Sequence, residues 1–452
     1  MATFSTARRS RIRMIPDAVS LEGRICLSTI TPSSRPDHRA DVSRVTHDGS
    51  PQTLLVEQFR HQLTSTAIPL TKKPPKAPKA PKAIATVYVT PKSFAAVVKS
   101  AKPGETIVLA PGVYTQNVVF NKQSNITIVG ASNQSSILAP RKGDAIKVTL
   151  SSNITIENVW LRSQGSQGRG ISVVGSSVNV QNIKTDGTLG DGVVVTSYQG
   201  HNASLTATSS QFDAVQTGVG LDLRTGSSSL INGCTFNGNG TSPNVTVSSV
   251  GLALRSNASA TILNSQFIGN TNAGLVALQN SAVTAQHSIF ADNKKGDGAL
   301  FLNQTTVNLV DNTFASNGEI IGEATGLNGV EFFINFTGSA IVSGNVFENN
   351  TAAGIWGGSS SNNIQITNNT FNNNVVGVFL DASAAPISAT VQGNTFVVPV
   401  GSPDSDVGFL TIGRVTATVG GDGTLANTFE NYFAFRSIGV SKGGPKDRKA
   451  HV

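Results

Sequence analysis

The sequence predicts an all-β protein that winds into a solenoid of short strands, and three observations lead to this prediction. From residue 212 onward a phenylalanine recurs at steps of 23–25 residues, with three longer steps of 31 or 33 residues. Between the phenylalanines stands a glycine followed by alternating apolar residues, which is typical of short strands. Helical periodicity is missing, and a charged fraction of 13% is too low for a coiled coil or a helical array. The recurring residues are Phe212, Phe236, Phe267, Phe290, Phe314, Phe347, Phe371, Phe396 and Phe429.

Residues 1–84 are expected to form a basic, disordered leader and linker. They carry 14 basic and 6 acidic side chains, and residues 31–70 show no sustained strand or helix period. Residues 71–83 read TKKPPKAPKAPKA, in which proline fixes the backbone and the lysines repel one another. An extended, polyproline-like spacer is therefore expected. The composition favours a tether, and an arm that binds polyanions is the alternative.

A short motif near the start of the chain resembles a motif of exported proteins. Residues 21–28 read LEGRICLS, which resembles the LEPR-XLL motif near the start of large exported or surface bacterial proteins. Gly23 stands where that motif has proline, and Cys26 stands where it has leucine. The early arginines lack the apolar stretch of about seven residues that a secretory signal needs. No apolar run of about 18 residues occurs, so no membrane-spanning helix is expected.

The folded part is expected to begin with a short helix behind this linker. Residues 93–101 read SFAAVVKSA, a short amphipathic pattern, and residues 103–114 read PGETIVLAPGVY, which indicates strands. Residues 125–130 read NITIVG and continue as the next strand. A helix at this place would cover the open apolar end of a solenoid, which terminal repeats require.

The repeats themselves are too short to close a core alone. A unit of about 24 residues must stack on copies of itself, so we expect one solenoid over residues 85–440 and a basic disordered tail over 441–452. Stacking in register places equivalent residues about 4.8 Å apart. The phenylalanines would then stack inside, and the polar residues two positions earlier would hydrogen-bond from coil to coil. Those residues are Ser210, Cys234, Ser265, Ser288, Asn312, Asn345, Asn369, Asn394 and Asn427.

This organisation resembles the right-handed parallel β-helix of the pectin-lyase-like superfamily, in particular its generic parallel β-helix repeat and NosD-like members. The resemblance covers about residues 86–436, and residues 103–114 are similar to the first-coil motif of that superfamily. It implies a single-stranded, right-handed parallel β-helix with a short N-terminal capping helix.

The formal charge of +8 does not belong to the folded part. Residues 85–440 hold 16 basic and 19 acidic side chains, whereas residues 441–452 hold four basic side chains and one acidic side chain. A solenoid with this balance is not expected to bind nucleic acid. We expect a monomer.

The register predicts which side chains share an outward face. With the glycine counted as position zero, positions one and three are apolar and must point inward, so position two points outward. Asp191 precedes a zero glycine, Asp222 stands at position two, and Arg224 and Arg255 stand two residues beyond position two. Lyases of the superfamily bind Ca²⁺ with clustered carboxylates and use arginine or lysine as the base, so the resemblance makes these four residues catalytic candidates. The alternative is a structural ladder of paired charges.

A second candidate lies toward the C-terminal end. Trp356, Phe379 and Leu410 stand at position two on successive coils and would form an apolar outward stripe. Aromatic faces suit the CH-rich faces of sugars, so Trp356 and Phe379 are candidates for carbohydrate binding. The alternative is that residues 398–407 or the segment 431–435 cover this stripe.

These observations favour a β-helix of the cell surface or cell envelope that is exported and binds polysaccharide or serves as a structural or adhesive element. The alternative is a lyase or epimerase that acts on uronate-containing polysaccharide, with Ca²⁺ as its cofactor. Whether the protein is an enzyme stays open, because the paired-aspartate, Gly-His-Gly and Arg-x-Pro-x-x-Arg motifs of polygalacturonases and pectate lyases are absent. Copper handling as in NosD is not expected, because clusters of the soft ligands that Cu(I) prefers are missing.

Overall fold

The described part of the chain is a right-handed parallel β-helix, as the repeat and the resemblance predicted. A computed structural model describes residues 85–165, 167–240, 249–318, 327–333, 335–358, 363–399, 407–431 and 433–438 of the 452 residues. The predicted leader, linker and export motif in residues 1–84 and the predicted tail in residues 441–452 lie outside the described residues. Within that part, no helix is long and apolar enough to cross a membrane.

Short strands make up nearly all of the regular structure, with one α-helix, α1 (Phe94–Ser100), and a 3-10 turn at Gly423–Leu425. In chain order the strands are β1 (Thr86–Val89), β2 (Thr106–Leu109), β3 (Gly112–Tyr114), β4 (Val118–Asn121), β5 (Ser124–Val129), β6 (Ser136–Leu138), β7 (Ile146–Thr149), β8 (Ser152–Glu157), β9 (Val159–Leu161), β10 (Ile171–Val174), β11 (Ser177–Gln181), β12 (Val193–Thr196), β13 (Ser204–Thr208), β14 (Leu221–Arg224), β15 (Ser228–Asn232), β16 (Val250–Leu254), β17 (Ser259–Leu263), β18 (Gln266–Ile268), β19 (Ala273–Ala277), β20 (Ala282–Gln286), β21 (Ile289–Ala291), β22 (Ala299–Phe301), β23 (Thr306–Val310), β24 (Thr313–Ala315), β25 (Val330–Phe332), β26 (Ser339–Ser343), β27 (Val346–Glu348), β28 (Ala353–Gly357), β29 (Ile364–Thr367), β30 (Thr370–Asn372), β31 (Val376–Gln392), β32 (Thr395–Val397), β33 (Val407–Val419), β34 (Thr428–Glu430) and β35 (Phe433–Ile438).

The strands form three parallel faces that run along the solenoid. The first face holds β4, β7, β10, β12, β14, β16, β19, β22, β25, β28, β35 and the first parts of β31 and β33. The second face holds β1, β2, β5, β8, β11, β13, β15, β17, β20, β23, β26, β29 and the second parts of β31 and β33. The third face begins with β3, β6 and β9, continues through single bridges, and ends with β18, β21, β24, β27, β30, β32 and β34.

The predicted N-terminal cap is present as α1. Phe94 and Val98 on one side of this helix are buried, and the Phe94 ring meets the Tyr114 ring edge-on with centroids 4.8 Å apart. The Tyr114 hydroxyl donates to the Ala110 carbonyl at 2.8 Å, which fixes the ring beneath the helix. The helix therefore covers apolar side chains of the first coils, as a terminal repeat must.

The interior contains the predicted phenylalanine stack. Successive rings from Phe212 to Phe429 are nearly parallel, with centroids 4.6–5.0 Å apart. The zero glycines are required by close coil packing: a Cβ on Gly274 would lie 2.6 Å from the Gly298 carbonyl oxygen, and a Cβ on Gly354 would lie 2.6 Å from Cδ1 of Phe371. The spacing of phenylalanine and the position of glycine are thus two signs of one packing arrangement.

Two polar ladders flank the stack, of which the sequence predicted one. In the predicted ladder, Asn345 Nδ2 donates to Asn369 Oδ1 at 3.0 Å, and the pattern repeats from Asn312 to Asn427. The second ladder stands three residues after the phenylalanines and is formed by Asn239, Asn270, Asn293, Asn317, Asn350 and Asn374. Both ladders satisfy backbone and amide groups that the turns bury.

The side chains at position two of the first face are less exposed than the prediction of an open outward row implied. They lie outside the main core, yet Asp222 and Ala253 are fully buried and Val276, Phe379 and Leu410 are at most 9% exposed. The outward row of the first face is therefore recessed for much of its length, so open access to it is confined to particular places.

Candidate functional site

The register brings the four predicted catalytic candidates together at the N-terminal half of the first face. Asp222 on β14 pairs in register with Val194 on β12 and with Ala253 on β16. Asp191 precedes β12, Arg224 ends β14, and Arg255 directly follows β16. The three coils thus place two carboxylates and two guanidiniums side by side, and Arg169 from the preceding coil joins them. These five residues are called the charged cluster below.

Asp222 lies at the centre of the charged cluster and is fully buried. Arg255 binds it with both ends of its guanidinium: Nε donates to Oδ1 at 3.0 Å and Nη2 to Oδ2 at 2.9 Å. Arg224 approaches from its own strand, with Nε donating to Oδ2 at 2.6 Å and Nη2 in contact with the same oxygen. Both carboxylate oxygens are therefore engaged by arginine.

The electrostatics of Asp222 follow from this enclosure. Burial raises the pKa of the Asp222 carboxyl, and the charges of Arg255 and Arg224 act against that rise. Burial lowers the pKa of Arg224, but Asp222 and Asp191 raise it by more than burial lowers it. Arg224 is thus held protonated, and the carboxylate of Asp222 depends on its two arginines for charge compensation.

Asp191 connects the charged cluster to the surface. Its Oδ1 accepts a hydrogen bond from the Val219 backbone N–H at 3.0 Å. Its Oδ2 lies 3.3 Å from Arg224 Nη2 and 3.6 Å from Arg169 Nε, so one oxygen bridges two guanidiniums. The Asp191 side chain is 15% exposed, in contrast to the enclosed Asp222. Of the two carboxylates, Asp191 is the one that a ligand can reach.

A small concavity adjoins Asp191 and Arg169. It has a volume of about 210 Å³ and is lined by Gln167, Arg169, Gly190, Asp191, Thr217 and Gly218. The side chains of Arg169, Arg224 and Arg255 are 33%, 35% and 29% exposed. The charged cluster therefore presents guanidinium surface beside a recess, with three positive charges against two negative ones.

The charged cluster does not fit a calcium ion. Ca²⁺ takes six to eight oxygen ligands, whereas here each carboxylate oxygen of Asp222 faces a guanidinium and Asp191 is bound by arginine and a backbone N–H. Across the described ranges, no group of three or more His, Cys, Asp or Glu side chains is placed to hold a metal. The described residues therefore do not form a ligand set for the calcium that the resemblance implied for a lyase.

The C-terminal candidate is packed more closely than an open stacking surface. Phe379 is 9% exposed and clusters with Ala353, Val407 and Leu410. Trp356, one coil earlier, is partly buried, and its ring meets Phe379 edge-on with centroids 6.4 Å apart. Trp356 thus offers the accessible aromatic surface of this pair, and Phe379 supports it.

A buried acidic pair on the same face escaped the sequence reasoning. Asp297 Oδ1 accepts from the Asn328 backbone N–H at 2.9 Å, and Asn328 Nδ2 contacts Glu331 Oε2 at 3.3 Å. Asp297 is fully buried, and Glu331 is 5% exposed. The signal was available, since Asp297 precedes a zero glycine as Asp191 does and Glu331 stands at position two. Both carboxylates are thus enclosed within the fold.

A second unforeseen arrangement lies on the third face. The Trp160 ring has Lys184 Nζ 5.1 Å and Arg162 Cζ 5.5 Å from its centroid. Its Nε1 donates to the Asp186 carbonyl at 3.1 Å, while Lys184 Nζ pairs with the Asp186 carboxylate at 3.0 Å. These contacts join two consecutive coils and stabilise the N-terminal half of the solenoid.

Comparison with known proteins identifies the repeat. The model of the right handed beta helix region matches residues 169–327 and 251–422, which together span more than half of the chain. No curated protein sequence matches the chain.

Several solved structures are similar to this chain over most of its length. They include tailspike protein 3 of bacteriophage CBA120, 12% identical over 79% of this chain and 59% of that one, with a TM-score of 0.43. An α-1,3-glucanase of Streptomyces thermodiastaticus is 16% identical over 80% of this chain and 70% of that one, with a TM-score of 0.44. An alginate lyase of family PL6 is 14% identical over 79% and 54%, with a TM-score of 0.43. Likenesses of this size carry no argument about activity.

Proposed function

Because the chain belongs to the right-handed β-helix family, we propose that it is an exported β-helix of the cell surface or envelope that binds polysaccharide. The ligand we propose for the charged cluster is a polysaccharide that bears carboxylates, such as a polyuronate. The observation that carries the proposal is the set of three partly exposed guanidiniums held by two carboxylates, of which Arg169 and Asp191 line a recess.

Guanidiniums arranged in this way suit the carboxylates of a uronate chain. Arginine binds carboxylates through parallel N–H donors in a fixed fork, which favours planar and directional recognition. Asp222 holds Arg224 and Arg255 in place, so little side-chain entropy is lost when a ligand binds. The excess of one positive charge in the charged cluster favours an anionic ligand over a neutral one.

Binding is favoured over catalysis by the burial of Asp222 and by the protonation of Arg224. Asp222 is fully buried with both oxygens on arginine, so it cannot approach a sugar proton. Arg224 would have to lose its proton to act as a base, whereas the neighbouring carboxylates raise its pKa. We therefore assign Asp222 a positioning role and Arg224 and Arg255 a binding role.

A lyase or epimerase acting on uronate-containing polysaccharide is the second candidate, and one observation favours it. Asp191 is partly exposed at the recess beside Arg169, where a base could meet a bound sugar. In that case Asp191 would accept the proton alpha to the uronate carboxylate while the arginines neutralise that carboxylate.

The aromatic pair at the C-terminal half of the first face extends the same proposal. Trp356 would stack on a sugar ring, and Phe379 would hold its indole by edge-on packing. A structural or adhesive role is compatible with both surfaces. The proposed location outside the cell or in the envelope rests on the motif in residues 21–28, and the proposed state is a monomer.

Affinity electrophoresis of the full chain in gels containing pectate or alginate tests the binding proposal. We expect retardation that weakens with salt, because the contacts are ionic. Arg255→Ala should remove most of it, whereas Arg414→Ala, an exposed arginine on β33, should not. Equal mobility in gels with and without the polyuronates would refute the proposal.

The enzyme candidate needs its own measurement. Incubation with the same polymers, with and without Ca²⁺, would raise the ultraviolet absorbance if an unsaturated product forms, and NMR would detect epimerised residues. Loss of that product in Asp191→Asn with retardation retained would assign catalysis to Asp191. No product from any polymer, together with retardation, would leave binding as the function.

A further inference from the structure

The second face of the solenoid carries an uncharged column of outward side chains along its whole length. The column starts at Thr86 and passes in register from strand to strand as far as Thr418. No member is charged, which is unusual because solvated protein surfaces are rich in Lys, Arg, Asp and Glu. The members are Thr86, Thr106, Thr127, Thr155, Asn179, Thr206, Leu230, Thr261, Thr284, Asn308, Ile341, Gln365, Thr390 and Thr418.

The neighbouring outward column on the same face has the same character. From β11 to β26 it reads Ser177, Ser204, Ser228, Ser259, Ala282, Thr306 and Ser339 in register. The first face, in contrast, carries Lys147, Asp222 and Glu331 at its outward positions. Absence of charge is therefore a property of these two columns, whereas the third outward column of the same face carries Glu157 at the end of β8.

A groove of about 380 Å³ runs over the part of this face formed by β13, β15, β17 and β20. Its lining contains serine, threonine, alanine and leucine only, without a charged group. Three inward residues, Leu205, Ser229 and Ala260, also contribute to the lining. Four strands at ~4.8 Å make the groove ~14 Å long, which accommodates a few sugar rings along the axis.

The groups in the groove suit sugar hydroxyls. Among the described residues, the hydroxyls of Thr206, Thr261 and Thr284 form no hydrogen bond with protein groups, so each can donate and accept toward a ligand. Leu230 lies between Thr206 and Thr261 in the column and is 43% exposed, which provides an apolar contact for the CH face of a sugar. Regular rungs of hydroxyls match a polymer that repeats its own hydroxyls along its length.

We propose that the two uncharged columns of the second face bind an uncharged polysaccharide. Its chain would lie along the solenoid axis in the groove formed by β13, β15, β17 and β20. The lack of charge selects against polyuronates, which would gain no ionic contact here. The site lies on a different face from the charged cluster and goes beyond the polyuronate binding proposed above. The two sites can therefore succeed or fail separately.

Affinity electrophoresis of the full chain in gels containing xyloglucan, glucomannan or hydroxyethyl cellulose tests this site. We expect retardation by at least one of these neutral polymers, with little dependence on salt. Thr261→Lys should weaken the affinity about tenfold or more, because an ammonium under an uncharged ligand loses water without gaining a partner. The matched control is Thr370→Lys, at an exposed threonine on the third face, which should leave retardation unchanged.

The outcomes separate this site from the charged cluster. Retardation by neutral polymers that survives Arg255→Ala and is lost in Thr261→Lys supports the proposal. Retardation by polyuronates alone overturns it and leaves the charged cluster standing. Equal effects of the two lysine variants also overturn it. Concentration-dependent sedimentation of the free protein that Thr261→Lys abolishes would mean that a second copy of the chain occupies the face, and that result contradicts the proposal as well.

Discussion

Replacing Asn345 tests how the polar ladder holds the coils together. Asn345 is 1% exposed, and its Oδ1 accepts from the Asn312 backbone N–H at 2.9 Å and from Asn312 Nδ2 at 3.0 Å. Its Nδ2 donates to the Leu309 carbonyl at 2.9 Å and to Asn369 Oδ1 at 3.0 Å. In Asn345→Ala all of these bonds are lost, whereas in Asn345→Ser an acceptor remains.

The magnitude follows from which group is left without a partner. In Asn345→Ala the Asn312 backbone N–H is orphaned in a buried turn, while Asn312 Nδ2 keeps the Ala285 carbonyl at 2.9 Å. One orphaned donor costs about 1–3 kcal/mol. A serine hydroxyl can replace the acceptor, because Ser288 Oγ accepts from the Ser265 backbone N–H at 3.1 Å in an earlier coil. Asn345→Ala should therefore be about 1–3 kcal/mol less stable than Asn345→Ser.

Urea unfolding followed by circular dichroism measures this difference, and hydrogen exchange of the Asn312 amide locates it. We expect exchange at Asn312 to accelerate in the alanine variant and to stay slow in the serine variant. Asn308→Ala is the control, since Asn308 lies on the coil of Asn312 and points outward on β23, and this substitution should change stability by less than about 0.5 kcal/mol. Equal stability of Asn345→Ala and Asn345→Ser would refute the reasoning.

Three further predictions concern the stack, the charged cluster and a buried carboxyl. Phe314→Ala should cost about 3–5 kcal/mol in unfolding free energy, because the ring is fully buried between two others; a loss below about 1 kcal/mol would contradict the stack. Asp222→Ala should cost about 1–3 kcal/mol, less than a fully enclosed pair because its arginines are about one third exposed, and an unchanged melting temperature would contradict this. Burial raises the pKa of Asp213 against the opposing bonds from the Asn237 N–H and Thr235 and the charge of Lys184, so the folded state holds this proton more tightly than the unfolded state. The contribution of Asp213 protonation to the free energy of unfolding is thus largest below the ordinary pKa of 3.8 and falls as pH rises through the raised pKa. Asp213→Asn should remove that acid-range slope in pH-dependent urea unfolding, and an unchanged slope would contradict the assignment.

The sequence was sufficient for the fold because the interior permits few choices. From Gly251 onward the phenylalanines and the backbone carbonyl of the next coil leave no room for a side chain at the zero glycine, so phenylalanine and glycine recur together and can be counted. The ladder two positions before phenylalanine was visible for the same reason. The ladder around Asn317 was missed, because asparagine is also frequent in the exposed turns and its signal does not stand out.

The charged cluster was only partly predictable. Register placed Asp191, Asp222, Arg224 and Arg255 together, because parallel strands keep equivalent positions adjacent. The enclosure of Asp222 could not be anticipated, since burial of an outward residue depends on turn segments that have no periodicity. The groove of the second face was not predicted, because its outward residues, mostly serine and threonine, carry no charge and form no recognisable motif.

The affinity of the full chain for oligogalacturonate, measured by isothermal titration calorimetry, tests the central claim most directly. Wild type, Arg255→Gln and Arg414→Gln should be compared at low salt, since Gln removes the charge while retaining much of the side-chain volume. The charged cluster predicts that Arg255→Gln weakens binding about tenfold or more and that Arg414→Gln leaves it unchanged. Equal affinities of all three proteins, or no binding by the wild type, would contradict the claim that these arginines recognise an acidic polysaccharide.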